Sequence, residues 1–136
     1  METCWVWNNC MRYFFLDTSF LINMVKFGKN YVELAQDYFD EILLPSYPKK
    51  VEFELQQIAS KEGKLAKQAK LALQIISKFK EFYVEGEKTD EILLDLCRKF
   101  NGILATADEE LMHKAFSQGI PVVFIKKNGK MVCFKD

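Results

Sequence analysis

Four carboxylates stand at positions where they could do chemistry: Asp17, Glu54, Asp90 and Asp108. Carboxylates are hard oxygen ligands, and a site made of them without histidine or cysteine selects Mg²⁺ or Mn²⁺. Two like charges about 4 Å apart repel by roughly 4 kcal/mol at an effective dielectric of 20. If these side chains gather in the folded chain, the cluster will therefore require a cation.

Asp17 directly follows the apolar run Tyr13–Leu16, which has the composition of a buried strand. This position predicts that its carboxylate lies at the carboxyl end of that strand. The stretch Asp17-Thr18-Ser19 also precedes a second apolar run, so the alternative interpretation is the N-cap of a helix. The spacing alone leaves both interpretations open.

Asp90 and Asp108 each head the buried face of a predicted helix. Asp90 precedes Leu93 by three positions, and a carboxylate placed there is costly unless something satisfies it. We interpret the neighbouring Thr89 as the helix cap, which leaves Asp90 free for another role. Asp108 repeats the arrangement, and residues 106–109 fit a capping box, so there too a neighbour would supply the cap.

Glu54 lies in the helix predicted after the second strand. It sits on the shoulder of an apolar stripe, between Val51 and Ile58. We expect it on the rim of a cleft in which the three aspartates converge. The alternative interpretation is an ordinary glutamate on the surface of a helix.

Basic residues do not dominate the composition, because lysine plus arginine and aspartate plus glutamate both number 19. Zero net charge does not exclude RNA, since the distribution of charge over the surface decides binding. Four lysines recur every three residues and form a candidate basic ridge: Lys61, Lys64, Lys67 and Lys70. The alternative is a solvated helix face.

Several other kinds of site are disfavoured. The four cysteines include no Cys-x-x-Cys pair and the only histidine is His113, so the ligand spacing of a zinc site is missing. A lone histidine, which we expect to be solvated, also disfavours a ribonuclease that uses paired histidines. No glycine-rich phosphate loop is present, so nucleotide cofactors are not expected. Ser19 stands where a phosphatase with an aspartyl nucleophile would want a second aspartate.

Strand-like and helical patterns alternate along most of the chain. The predicted strands cover residues 13–16, 42–45, 82–84, 102–106, 122–125 and 131–134, and the predicted helices cover residues 20–22, 31–40, 48–60, 64–79, 89–100 and 108–118. Asn128-Gly129 predicts a hairpin before the last strand. The alternation predicts a parallel sheet covered by helices on both faces, with ligands at the carboxyl ends of its strands.

The length of 136 residues and the hydrophobic content of 49% are those of one folded domain. We expect residues 1–11 to form a tail or an extra strand and residues 12–136 to form a single domain. No apolar run approaches the roughly 20 residues that span a bilayer. The first residues include Glu2 and no basic n-region, so we do not expect them to act as a secretory signal. These observations predict a cytoplasmic protein, in which Cys4 and Cys10 would stay free thiols and Cys97 and Cys133 would pack as small apolar residues.

Four segments resemble the motifs of the PIN nuclease family. Residues 15–21, Phe-Leu-Asp-Thr-Ser-Phe-Leu, look like its opening motif. The segments that resemble the later acidic motifs are residues 51–59, 89–93 and 103–111. Residues 119–122, which follow the last of these segments, resemble the strand that comes next in the family. The likeness runs from about Tyr13 to Ile125 and is nearest to the archaeal branch that processes rRNA.

The resemblance implies a divalent metal site whose ligands are Asp17, Glu54, Asp90 and Asp108. The first, third and fourth would be the main ligands, and the glutamate would bind a second metal or position the attacking water. Ser19 and Thr106 would hold these ligands in place. The family often has asparagine where this chain has Ser19 and Ala107, a difference that affects the expected rate more than the metal site.

The fold implied by the resemblance is α/β, with three α/β/α layers, a central mainly parallel sheet and a C-terminal hairpin. The implied activity is that of an endoribonuclease that uses Mg²⁺ or Mn²⁺ to cleave single-stranded or structured RNA, in rRNA processing or RNA turnover, often as a homodimer. Two alternatives are a non-catalytic RNA- or ribosome-associated PIN module and a toxin ribonuclease paired with an antitoxin. The presence of all four carboxylates argues against the non-catalytic module.

Overall fold

The computed structural model describes residues 11–135, and in this part of the chain strands and helices alternate as the hydrophobic pattern predicts. The strands are β1 (Met11–Leu16), β2 (Ile42–Pro48), β3 (Lys80–Phe82), β4 (Ile103–Thr106), β5 (Val122–Ile125) and β6 (Met131–Phe134). The helices are α1 (Thr18–Phe27), α2 (Tyr31–Phe39), α3 (Lys49–Ala59), α4 (Lys64–Ile76), α5 (Thr89–Phe100) and α6 (Glu109–Ser117).

The strands form one sheet in the order β3-β2-β1-β4-β5-β6. All neighbours run parallel except β5 and β6, which form the antiparallel C-terminal hairpin. The order reverses at β1, whose neighbours are β2 on one side and β4 on the other. In parallel sheets the crevice at such a reversal, outside the carboxyl ends of the strands, is where ligands bind. Asp17 follows β1 directly and Asp108 follows β4 after one residue, so both stand at this crevice.

Side chains alternate between the two faces of the sheet and build two cores. Phe14 and Leu16 pack with the apolar faces of α1 to α4, while Phe15 and its parallel partner Leu104 pack with those of α5 and α6. The sheet is therefore covered by helices on both faces. This arrangement confirms the predicted three-layer architecture with a mainly parallel sheet.

Several predicted bounds were wrong. Helix α1 was predicted for residues 20–22 and spans Thr18–Phe27. Strand β2 continues to Pro48. It contains Pro45, which has no amide hydrogen to donate, and this is tolerated because β3 pairs only with Ser46–Pro48 and leaves one side of β2 unpaired at Pro45. β3 comes two residues earlier than predicted. Helix α4 ends at Ile76 rather than at residue 79. The residues that follow form hydrogen bonds over three positions instead of four, such as the one from the Phe79 amide to the Ile76 carbonyl at 2.9 Å.

The predicted tail falls almost entirely on residues 1–10, which lie outside the described residues, as do Cys4 and Cys10. β1 begins at Met11, one residue before the predicted start of the domain. Cys97 is buried and Cys133 half-buried, and both are free thiols. Within residues 11–135, no helix is both long enough and apolar enough to cross a membrane.

Candidate active site

Asp17 occupies the junction between β1 and α1. Its backbone amide continues the sheet by donating to the Ala105 carbonyl at 2.9 Å. It holds the N-cap position of α1, yet its side chain makes no capping hydrogen bond. Instead its Oδ2 accepts hydrogen bonds from Ser19 Oγ at 2.7 Å and from Thr106 Oγ1 at 2.9 Å. The interpretation of this carboxylate as a helix cap is therefore wrong, and its side chain is directed toward β4.

The environment of Asp17 disfavours its negative charge. The residue is only 7% exposed. Burial raises the pKa of the Asp17 carboxyl from 3.8 to about 6, against the opposing effect of the hydrogen bonds from Ser19 and Thr106, and the charge of Asp90 adds to the rise. Both side-chain hydrogen bonds go to Oδ2, which leaves Oδ1 without one among the described residues. A cation near Oδ1 would stabilise the ionised form of Asp17, which burial disfavours.

Ser19 and Thr106 connect the ends of β1 and β4. Their hydroxyl oxygens are 3.3 Å apart, and each also accepts a backbone hydrogen bond, from the Ala107 amide to Ser19 Oγ and from the Asp108 amide to Thr106 Oγ1, both at 3.0 Å. Thr106 is fully buried. Both hydroxyls therefore hold the Asp17 carboxylate, and their role in supporting a metal ligand stays a prediction. The hydrogen bond from the Ala107 amide also shows that Ser19 anchors the loop after β4.

Asp108 is the N-cap of α6, and here the predicted capping box was wrong. Its Oδ1 accepts from the amides of Glu110 at 2.9 Å and Leu111 at 3.3 Å. Thr106 does not cap the helix because its hydroxyl is engaged by Asp17 and by the Asp108 amide. Asp108 is exposed, so its second oxygen, Oδ2, remains available at the crevice.

Glu54 is half-buried and held on both oxygens, unlike an ordinary surface glutamate. Thr18 Oγ1 donates to Oε1 and Thr89 Oγ1 donates to Oε2, each at 2.5 Å. Glu54 thereby ties α3 to the first residues of α1 and α5. The prediction that Thr89 caps α5 was wrong, because the N-cap position belongs to Lys88 and its side chain makes no capping bond.

Asp90 is half-buried and lies among other negative charges. Burial, the charge of Asp108 and the charges of Glu54 and Glu110 all raise the pKa of its carboxyl, while the nearby ammonium of Lys114 lowers it. Together with the effect of Asp90 on Asp17, these interactions join all four predicted residues in one electrostatic cluster. Asp90 thus interacts electrostatically with each of the other three candidate ligands.

A cleft of about 610 Å³ opens beside Glu54 and Asp90. Its lining comes from α3, from α6 and from α5 with the loop that precedes it, and consists of Lys50, Glu54, Glu87, Lys88, Thr89, Asp90, Glu91, Leu94, Lys114 and Gln118. Asp17 and Asp108 stand at the same edge of the sheet but are not part of this lining. Among residues 11–135, no three acidic, histidine or cysteine side chains lie close enough together to form a ready-made metal-ligand set.

The predicted basic residues lie elsewhere. Lys61 follows α3, and Lys64, Lys67 and Lys70 lie along α4; all four are exposed and none lines the cleft. His113 is exposed on α6, as predicted for a solvated side chain. Of the four candidate ligands only Glu54 and Asp90 line the cleft, which differs from the predicted convergence of the three aspartates in one cleft, and the lysine ridge lies apart from it.

Thr18 and Thr89 are the site residues that the sequence analysis missed. Each hydroxyl binds Glu54, and each threonine is the immediate neighbour of a predicted aspartate, Asp17 or Asp90. The repeated pairing of aspartate with threonine was the available signal. It was read as helix capping, which is the commoner use of these residues at a helix start.

Known proteins are similar to this chain over most of its length. A family model described as PIN like domain matches residues 14–128. The protein named Ribonuclease VapC9, from Archaeoglobus fulgidus, is 29% identical over 126 residues, which cover 91% of this chain and 90% of that protein.

Solved structures have the same fold. The PIN domain endonuclease Utp24 matches with a TM-score of 0.71 at 18% identity, over 91% of this chain and 92% of that one. A domain of a functionally unknown protein from Methanocaldococcus jannaschii matches with a TM-score of 0.60 at 19% identity, over 89% and 96%. At these identities the likeness to solved structures concerns the fold.

Proposed function

The chain belongs to the PIN-like domain family, and from that membership we propose that it is an endoribonuclease dependent on Mg²⁺ or Mn²⁺. The observation that supports this proposal most directly is the environment of the Asp17 carboxylate. This carboxylate is buried at the reversal of strand order, is held on one oxygen by two hydroxyls and is repelled by Asp90. Such a position costs stability unless a cation binds there.

The donor set fits a hard divalent cation. All four candidate ligands are carboxylates, and the pKa values of two of them, Asp17 and Asp90, are raised by burial and like charge. Asp17, Asp90 and Asp108 would hold the metal, and Glu54 would take part in a second site or position the attacking water. A bound cation would supply Lewis-acid stabilisation of the charge that develops on the phosphodiester.

The protein's own residues would orient the reacting groups. Ser19 and Thr106 hold Asp17 in one rotamer through its Oδ2, and Thr18 and Thr89 hold both oxygens of Glu54. Fixed ligands reduce the reorganisation that accompanies the reaction. The lone histidine is exposed, so proton transfer through paired histidines has no support here.

RNA as the substrate is supported by the relative whose name states ribonuclease activity, at 29% identity over nearly the whole chain. We propose rRNA processing or RNA turnover as the setting, in the cytoplasm. A homodimer is part of the same proposal. It predicts a mass near twice 15.9 kDa in sedimentation equilibrium at micromolar concentration.

Incubation of the protein with RNA tests the proposed activity. An unstructured RNA and a structured RNA, both labelled at the 5′ end, are incubated with Mn²⁺ or with EDTA. We expect internal cleavage of at least one RNA with Mn²⁺ only, yielding ends without a 2′,3′-cyclic phosphate. A cyclic phosphate product, or equal cleavage in EDTA, would rule out metal-assisted hydrolysis.

A further inference from the structure

We propose that three lysines on the walls of the cleft, Lys50, Lys88 and Lys114, bind the phosphate backbone of the RNA and lead it to the carboxylates. The proposal rests on the proposed ribonuclease function and deepens it. In this proposal the RNA is recognised through its phosphate backbone, with little selection among bases. The proposal also moves the RNA contacts away from the lysine ridge that the sequence suggested.

The three lysines come from three separate parts of the chain. Lys50 lies in the first turn of α3, Lys88 directly precedes α5 and Lys114 lies on α6. All three line the cleft that also contains Glu54 and Asp90. The fold therefore surrounds two of the candidate metal ligands with positive charge from different directions.

These lysines are available for an anionic ligand. Among the described residues, neither Lys50 nor Lys88 has a carboxylate within 4 Å, whereas Lys49, beside them, is paired with Glu52 at 2.8 Å and Glu81 at 3.6 Å. Lys114 has one partner, Glu110 at 3.6 Å, and both side chains of that pair are more than half exposed. Such exposed pairs contribute little and exchange readily for a phosphate.

A cluster of carboxylates repels RNA unless nearby cations compensate. The cleft itself carries Glu87 and Glu91 besides its two candidate ligands, so a phosphate entering it needs positive charge at short range. Lys114 lines the same cleft as Asp90. It therefore stands within electrostatic reach of both the candidate metal site and an incoming strand.

The chemistry of lysine indicates what is recognised. An ammonium binds phosphate as a point charge, whereas the specific reading of base edges relies on bidentate groups such as arginine. Among the described residues, no arginine lines the cleft. Arg12 pairs instead with Glu41, and Arg98 pairs with Asp95 and Gln118. The contacts should therefore be tolerant of sequence.

The salt dependence of RNA binding tests this proposal without any cleavage. Binding of a fluorescein-labelled, unstructured RNA is measured by anisotropy in EDTA, over a series of NaCl concentrations. Each phosphate contact contributes about 0.7 to the slope of log K against log salt for a single strand. The triple variant Lys50→Gln/Lys88→Gln/Lys114→Gln should lower the magnitude of the slope by about 2.

A matched variant on the lysine ridge, Lys61→Gln/Lys64→Gln/Lys67→Gln, removes the same charge from outside the cleft and should leave the slope nearly unchanged. Circular dichroism checks that both variants are folded. An unchanged slope in the cleft variant, a reduced slope in the ridge variant alone, or no binding by the wild type would each overturn the proposal. Binding through the cleft without Mn²⁺-dependent cleavage would contradict the proposed function while leaving this inference intact.

Discussion

Asp17 shows what a buried carboxylate does to the free energy of unfolding. Its pKa is raised from 3.8 to about 6 in the folded chain. A group whose folded pKa is raised contributes stability that is fully present below the unfolded pKa and is lost as pH rises through the folded pKa. The chain without metal should therefore lose stability between about pH 4 and pH 6 through this residue. The difference of about two pH units corresponds to about 3 kcal/mol.

Asp17→Asn removes this titration. In EDTA at pH 7.5 the variant should have a larger free energy of unfolding than the wild type, and the difference should shrink as pH falls toward 4. Urea unfolding at several pH values measures both quantities, and Asp37→Asn, on the exposed face of α2, is the matched control. If Asp17→Asn is less stable than the wild type at pH 7.5, the carboxylate is structural.

Asp108 combines a capping bond with a proposed metal contact, and two substitutions separate these roles. Asp108→Asn keeps an oxygen that accepts the Glu110 and Leu111 amides, so stability should change little. Asp108→Ala removes the cap and should cost about 1 kcal/mol. Both should lose Mn²⁺-dependent cleavage, because both remove the charge. Full cleavage by Asp108→Asn would limit this residue to its capping role.

Side chains differ in how far the sequence predicts them. Asp17, Asp108 and the partners Ser19 and Thr106 were predictable because each stands at or near the end of a predicted strand, whereas Asp90 and Glu54 were identified from their places on predicted helices. The two hydroxyls on Glu54 were not predictable, because they depend on how α3 packs across the starts of α1 and α5. Whether Asp108 or its neighbour caps α6 was likewise decided by the engagement of Thr106 with Asp17.

Among the secondary-structure elements, the junction of β4 and α6 contributes two residues to the candidate site, Thr106 and Asp108. Thr106 ends β4 and binds both Asp17 and the Asp108 amide, so one buried hydroxyl sets the spacing of two proposed ligands. Periodicity predicted both elements with small errors, since β4 is buried throughout and α6 has a clear apolar face. The bounds of β3 were missed because this short strand is set by pairing with β2 rather than by its own composition.

Thr106→Val tests the importance of this junction. Valine has a similar shape but no hydroxyl, so Asp17 and the Asp108 amide each lose a partner, at a cost of about 1–3 kcal/mol in the free energy of unfolding. Cleavage should also fall, because Asp17 is no longer held. Thr106→Ser keeps the hydroxyl and should recover most of both quantities. Equal effects of valine and serine would show that the methyl group, not the hydrogen bonds, matters here.

For the whole domain, the order of strands explains why residues so distant in the sequence meet. β1 lies between β2 and β4, so the chain segments that follow these strands, including Asp17, the start of α3 and Asp108, share one edge of the sheet. The alternating pattern predicted this edge. The positions of the lysines around this edge depend on how the helices are oriented, which the hydrophobic periodicity does not determine, and RNA binding by the lysine ridge stays a prediction.

Metal binding should change the stability of the whole domain. If Mn²⁺ binds only the folded state, a concentration a hundredfold above Kd should add about 2.7 kcal/mol. Asp90→Asn should raise the melting temperature in EDTA, because it removes one of the mutually repelling charges, and should reduce the shift caused by Mn²⁺. Thermal melts of both proteins, each with Mn²⁺ and with EDTA, measure this. A lower melting temperature in EDTA with an unchanged shift would place the metal elsewhere.

Single-turnover cleavage of RNA by Asp17→Asn, beside Asp37→Asn and the wild type, tests the central claim most directly. Loss of a residue that only supports a metal ligand typically costs 10- to 100-fold in activity, so loss of charge on a ligand should cost more than about 100-fold. We expect this loss of activity for Asp17→Asn, with the fold retained, and we expect Asp37→Asn to be as active as the wild type. Mn²⁺-dependent cleavage by Asp17→Asn at the rate of the wild type would contradict the assignment of the active site.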